Sequence, residues 1–255
     1  LTTNSPSASM LCHLAPLARV DIISLIGRCF WGEGDAAIAR GRKRRRKRNR
    51  KRIYSLPMKV GIAQINPIVG DFEGNSLRIV NAYRFAVASG ADLVVFPERC
   101  LTGLPCLDLL RRESFVNANL RALADLAVRL DGPSAIVGFV QPDEATSSKA
   151  LFDAVAVVSR GRVAAVRHKA FVGPLDASED RSHFSTATDA EPVSVDGLRF
   201  GLGIGEDLGV WSGDVRFVVN VRASRYTPGS WSRRVAAVSR WVAESHRPLV
   251  SCNLV

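Results

Sequence analysis

Apolar positions first become regular at Met58. Lys59–Ile65 is a short apolar run with the length of a buried strand. Pro67, Gly70, Asp71 and Gly74 then mark a loop. From about Ser76 to Ser89 apolar residues recur at helical spacing, with Leu77, Val80, Ala82, Phe85, Ala86 and Ala88 expected on the buried face. Asn75 is expected to cap this helix and Gly90 to stop it. Ala91–Phe96 reads as a second buried strand, with Pro97 and Glu98 at its end. A helix is expected over about 114–130 and a strand over Ser134–Phe139. Arg160-Gly161 separates the runs Ala154–Ser159 and Arg162–Arg167, and Asp196-Gly197 separates Pro192–Val195 from Leu198–Ile204; both read as hairpins. Arg216–Val221 and Leu249–Asn253 read as strands around an amphipathic helix, Ser232–Ser245, whose apolar side is Val235, Val238, Trp241 and Val242. This alternation predicts an α/β fold of mixed sheets covered by helices on both faces, since several strands are apolar throughout.

Charge separates the chain into two parts. Residues 1–57 hold 13 Lys/Arg against 3 Asp/Glu, a net +10, while residues 58–255 are nearly balanced at +1. The body therefore gives no electrostatic reason to expect a nucleic-acid partner. Most of the excess lies in Arg40–Arg52, where like charges repel and bury nothing. Residues 1–57 are expected to be a disordered basic leader. Three readings stay open: a solvated tail, translated sequence ahead of the proper start at Met58, or an arm for nucleic acid or anionic lipid. Asp21 interrupts the apolar stretch Leu11–Ile26, which argues against a secretory signal. No 18-residue apolar run is present, so no membrane partner is expected. The five cysteines are scattered, odd in number and without metal-ligand spacing, which fits a cytoplasmic protein with no metal site.

Three segments could carry chemistry. Glu98 stands just past a buried strand, where a lone carboxylate is costly and should hold its proton more tightly. It could serve as a general base, and a structural ion pair explains it as well. Lys169 closes a strand beside His168 and, taken alone, reads as a surface lysine. Leu198–Leu208 runs a strand into Gly205, with Glu206 and Asp207 following, so that an elbow would present residue 205 at the strand's end.

Together the three segments resemble the nitrilase superfamily of amidases. Phe96-Pro-Glu-Arg-Cys-Leu-Thr-Gly103 is similar to its F-P-E-x-x-L-T-G block, His168-Lys169 to its R-K block, and Ile204-Gly-Glu-Asp207 to its I-C-E-D block. The resemblance makes Glu98 the general base, Lys169 the cation supporting a tetrahedral intermediate, and Gly205 the position of the attacking cysteine. Lys59–Asn75, Gly90–Glu98 and Pro105–Leu110 further resemble the glutaminase domain that opens bacterial glutamine-dependent NAD synthetases. The implied fold is a four-layer α-β-β-α sandwich, and the implied substrate is glutamine or a related amide. The amidase step implies no cofactor; ATP and deamido-NAD belong to a synthetase domain that the sequence does not contain. A homo-oligomer or a separate synthetase subunit are the implied partners.

The sequence also departs from the pattern. Glycine carries no nucleophile, and neither Ser212 nor Cys100 is placed to replace it. A loss of hydrolysis on the order of 10⁶-fold is expected. Leu104 stands where the family has a tyrosine of the glutamine pocket. Glu179 and Asp180 form an acidic pair in reversed order; with Leu104 and Glu206 they are the expected substrate-binding positions. A helix between Trp211 and Val218 and the family's last strands are missing. The expectation is a truncated, catalytically impaired glutaminase domain, or a non-catalytic pseudo-amidase that binds a synthetase partner or an amide.

Overall fold

The computed structural model describes residues 18–25, 58–144, 150–171, 183–187, 191–207, 211, 214–224 and 227–254. Its strands are β1 (Ala18–Leu25), β2 (Met58–Ile65), β3 (Leu93–Val95), β4 (Ser134–Pro142), β5 (Leu151–Ser159), β6 (Arg162–His168), β7 (Phe184–Ser185), β8 (Val193–Val195), β9 (Leu198–Ile204), β10 (Val218–Arg222) and β11 (Leu249–Asn253). Its helices are α1 (Phe72–Ala88), α2 (Glu113–Arg129) and α3 (Ser230–Ser245), with a 3-10 turn over Leu107–Arg111. One sheet orders its strands β1-β2-β3-β4-β5-β6, with β7 also paired to β5; the other orders them β11-β10-β9-β8. Both are mixed: β2-β3-β4 and β9-β10-β11 run parallel, while β4-β5-β6 and β8-β9 are antiparallel.

Side-chain alternation along the strands explains why apolar runs were needed. Ala135, Val137 and Phe139 of β4, with Ala154, Ala156 and Val158 of β5, face a core shared with α1 and α2. The intervening Ile136, Val155 and Val157 face Phe200, Leu202, Val219 and Val221 of the second sheet. Each strand thus buries both faces, which only a doubly covered sheet allows. Beyond the second sheet, Val218 and Trp211 pack with Trp241 of α3.

Both hairpins form as expected. Arg160 and Gly161, and likewise Asp196 and Gly197, take positive φ at all four turn positions, which matches the twist of the paired strands. β11 coincides with the predicted strand, and the helices agree to within a few residues.

Three expectations are corrected. First, α1 begins at Phe72 and its cap is Asp71, whose carboxylate accepts from Gly74 N at 2.9 Å. Asn75 lies inside the first turn, fully buried. It accepts from Ile68 N and donates to the carbonyls of Ile68 and Leu101, because a buried amide must be satisfied on both sides. Second, Ile79, Val80, Ala82, Tyr83 and Ala86 form the buried face, while Leu77 and Phe85 are about half exposed. The predicted face was rotated by including both of those large residues. Third, Ala18–Leu25 falls within the segment expected to be a disordered leader, yet it pairs antiparallel with β2 from Ala18 opposite Ile65 to Leu25 opposite Met58. The run Arg40–Arg52 lies outside the described residues.

Candidate active site

Glu98 and Lys169 meet, although 71 residues separate them in sequence. Lys169 Nζ donates to Glu98 Oε1 at 2.8 Å. Both side chains are sealed from solvent, Lys169 at 1% and Glu98 at 2% exposure, so the surface reading of Lys169 does not hold. Glu98 occupies the turn after β3, and that turn is stitched to β4: Phe96 N donates to Ile136 O and Leu101 N to Gly138 O. Lys169 follows β6 directly, its N–H donating to Asp153 O of β5 at 2.9 Å. Glu98 Oε2 accepts from Ala223 N, just past β10, at 2.7 Å. One carboxylate therefore ties the two sheets together.

This geometry corrects the expected electrostatics. Burial does push the Glu98 carboxyl upward. The adjacent Lys169 ammonium, a hydrogen bond with the Asp153 carboxyl and the Arg99 guanidinium outweigh it, leaving Glu98 below the ordinary glutamate value. Glu98 is thus a carboxylate matched to a buried cation rather than a proton-holding acid.

The third segment forms the expected elbow. β9 ends at Ile204, and Gly205 follows with φ +64°. Gly205 N donates to Val221 O at 2.8 Å, two residues before the Ala223 amide that binds Glu98. Asn220 Nδ2 donates to Gly205 O at 3.1 Å and to Asp207 O at 3.4 Å, holding the turn from below. The chain folds back so tightly that a Cβ on Gly203 would overlap Asp207 O. Position 205 is thus buried just past β9, the strand paired with β10, but it offers no side chain.

The remaining expected residues divide. Glu206 is partly buried just beyond the elbow, and Leu104 is partly buried beside Pro105 at the end of the Glu98 turn. Glu179, Asp180 and Ser212 lie outside the described residues. Cys100 is fully buried, exchanging weak hydrogen bonds with the Gly138 backbone. Burial pushes its thiol up to about 12, so it supplies no thiolate near neutral pH. Among the described residues no group of three His, Cys, Asp or Glu side chains is placed to hold a metal, and no helix is long and apolar enough to cross a membrane. Asp153, Arg99 and Asn220 were not singled out from sequence. An aspartate within the apolar run Leu151–Ser159 was the one visible signal.

The site has a buried carboxylate, a buried ammonium and an elbow, in that order along the chain. Residues 59–210 match the carbon-nitrogen hydrolase family. The chain belongs to that family. It is a nitrilase-superfamily domain resembling the N-terminal part of glutamine-dependent NAD(+) synthetase. It is 31% identical to the glutamine-dependent NAD(+) synthetase of Thermotoga maritima, over 78% of this chain and 35% of the relative. The Synechocystis enzyme of the same name is 30% identical, over 77% of this chain and 39% of the relative. The chain therefore spans little more than a third of the length of these relatives. Among solved structures, the glutamine-dependent NAD+ synthetase of Acinetobacter baumannii superposes with a TM-score of 0.70 at 26% identity, covering 78% of this chain and 38% of that one. An amidase from Nesterenkonia sp. shares the fold, with a TM-score of 0.63 at 19% identity over 77% of this chain and 76% of that one.

Proposed function

We propose that this family member derives from a glutaminase, the ammonia-supplying half of a glutamine-dependent NAD synthetase, and that Gly205 has disabled its hydrolysis. The observation that carries this reading is the buried Glu98–Lys169 pair, intact beside an elbow whose central residue is glycine. With a cysteine at 205, Glu98 would take the thiol proton and the thiolate would attack the amide carbon. Lys169 would then face the developing oxyanion. Ammonia would leave, and water would release the acyl group. Without the thiol, water must attack directly, and a rate lower by on the order of 10⁶-fold is expected.

The reading extends to the wider molecule. The cores on both faces of the seven-stranded sheet, and the α3 contact beyond the second sheet, support a four-layer α-β-β-α arrangement. Leu104, Glu206, Glu179 and Asp180 would border the amide pocket. The amidase step needs no cofactor; ATP and deamido-NAD would be handled by a synthetase partner. A basic arm at 40–52 would add salt-sensitive binding to nucleic acid, abolished when residues 1–57 are removed.

Gly205 itself favours a second reading, a pseudo-amidase that binds an amide or a synthetase subunit without turnover. Ammonia release from glutamine by the full chain and by its Gly205→Cys variant separates the two. A silent native chain and an active variant establish an amide site that lost only its nucleophile. Silence in both, with titration calorimetry showing retained glutamine binding, supports the pseudo-amidase. Turnover by the native chain overturns the proposed inactivity.

A further inference from the structure

A second ion pair stands behind Glu98 and Lys169. Asp153 lies within β5, fully buried. Arg99, the residue after Glu98, takes a left-handed backbone with φ +51°, which turns its side chain back toward β5. Its Nε donates to Asp153 Oδ2 at 2.9 Å, and its guanidinium lies 4.6 Å over the Phe184 ring of β7. Asp153 also grips Lys169 twice. Its backbone oxygen accepts from Lys169 N at 2.9 Å, and its Oδ2 lies 3.9 Å from Lys169 Nζ.

Four ionisable groups, two acids and two bases, thus share one enclosed site: Glu98, Asp153, Arg99 and Lys169. We propose that Asp153 and Arg99 are positioning residues for the Glu98–Lys169 pair: Asp153 anchors Lys169 against Glu98, and Arg99 neutralises Asp153 so that Glu98 remains the free base. This rests on the amidase reading above. The charge balance is enforced by burial. Removing one member leaves an uncompensated charge in a site that water does not screen. Removing an oppositely charged two leaves it neutral again. The direction of proton uptake agrees. Burial first, and then the neighbouring Glu98, push the Asp153 carboxyl well up against the pull of Arg99 and Lys169, whereas Glu98 is held low. On acidification the first proton falls on Asp153, and Glu98 keeps its charge.

The test uses the full chain carrying Gly205→Cys, with glutamine as substrate. Asp153→Asn removes the carboxyl that faces Arg99 beside Glu98. The acid limb of kcat/KM should move to lower pH, and kcat should fall by about tenfold or more with KM within about twofold, as expected for a weakened base. Arg99→Leu strands Asp153 instead, and the acid limb should move to higher pH. The Asp153→Asn, Arg99→Leu double variant should return the limb to its starting position. A merely structural role would lower activity without moving the limb in opposite directions. Folded variants whose limbs coincide, or a double variant no better than either single one, overturn the proposal. If a single variant does not fold while the double one does, compensation is supported directly.

If the Gly205→Cys chain releases no ammonia, the amidase reading fails, and the charge pair is read by thermal unfolding of the native chain against pH. A carboxyl raised in the folded state stabilises fully below its unfolded value, and that contribution is lost as pH rises through the folded one. The native midpoint should show this decline, and Asp153→Asn should lack it. Parallel profiles overturn the proposal.

Discussion

Gly205 shows how an elbow can hold its shape without a side chain. A left-handed backbone strains any side chain by about 1–3 kcal/mol, and glycine occupies it freely. The elbow therefore persists on backbone hydrogen bonds to Val221 and on Asn220, with no thiol required. Gly205→Cys should accordingly cost about 1 kcal/mol of stability while creating ammonia release, measurable by urea unfolding and a glutamine assay. Lys169 carries a second prediction. Lys169→Met leaves Glu98 and Asp153 with Arg99 as their cation among the described residues, and should cost about 3–5 kcal/mol in urea unfolding near neutral pH. The pH dependence has a definite sign. Glu98 is held below its ordinary value, so its contribution is complete above that value and is lost as pH falls through the folded one. Lys169→Met should shrink this acid-side loss, seen as a flatter unfolding midpoint on acidification.

Among the elements, β4 positions the Glu98 turn although it contributes none of the candidate residues. The Glu98 turn lies directly against Gly138, where an added Cβ would overlap Arg99 N and stand 2.6 Å from Pro97 O. Only the absence of a side chain lets the turn approach. Gly138→Ala should thus displace Pro97–Arg99, lowering the Gly205→Cys activity by about 100-fold through misplacement of the base. A Gly138→Ala chain as active as its parent would show that the turn has slack. The same element explains a limit of sequence reading. A glycine in the apolar run Ser134–Phe139 reads as a tolerated strand residue, because its contact lies 39 residues away in sequence at Arg99. The hairpins were legible for the opposite reason: their turns are chosen by two adjacent residues.

At the scale of the whole molecule, the unexpected partner is β1. By pairing with all eight residues of β2, it converts what would be an exposed edge into an interior strand. Removal of residues 1–57 should therefore lower the thermal midpoint and promote concentration-dependent association, followed by light scattering. An unchanged midpoint and a monodisperse truncated chain would show that β1 contributes nothing to the sheet. The second sheet is held through a different device, the Glu98 carboxylate accepting from Ala223 N. This makes the candidate site part of the inter-sheet joint, so site substitutions should register in global stability as well as in activity.

The sequence by itself determined the strand and helix succession from β2 to β6 and from β8 to β11, and the two hairpins. Those depend on local periodicity and on turn residues, which read without a partner. Tertiary structure alone decided the cap of α1, the face it buries, the pairing of β1, and the charge state of Glu98. It also brought Arg99 and Asp153 together across 54 residues of chain. A carboxylate's charge depends on which cations face it, and a strand's place depends on which edge it covers. Both are properties of neighbours in space, which a linear pattern of apolar and polar residues does not encode.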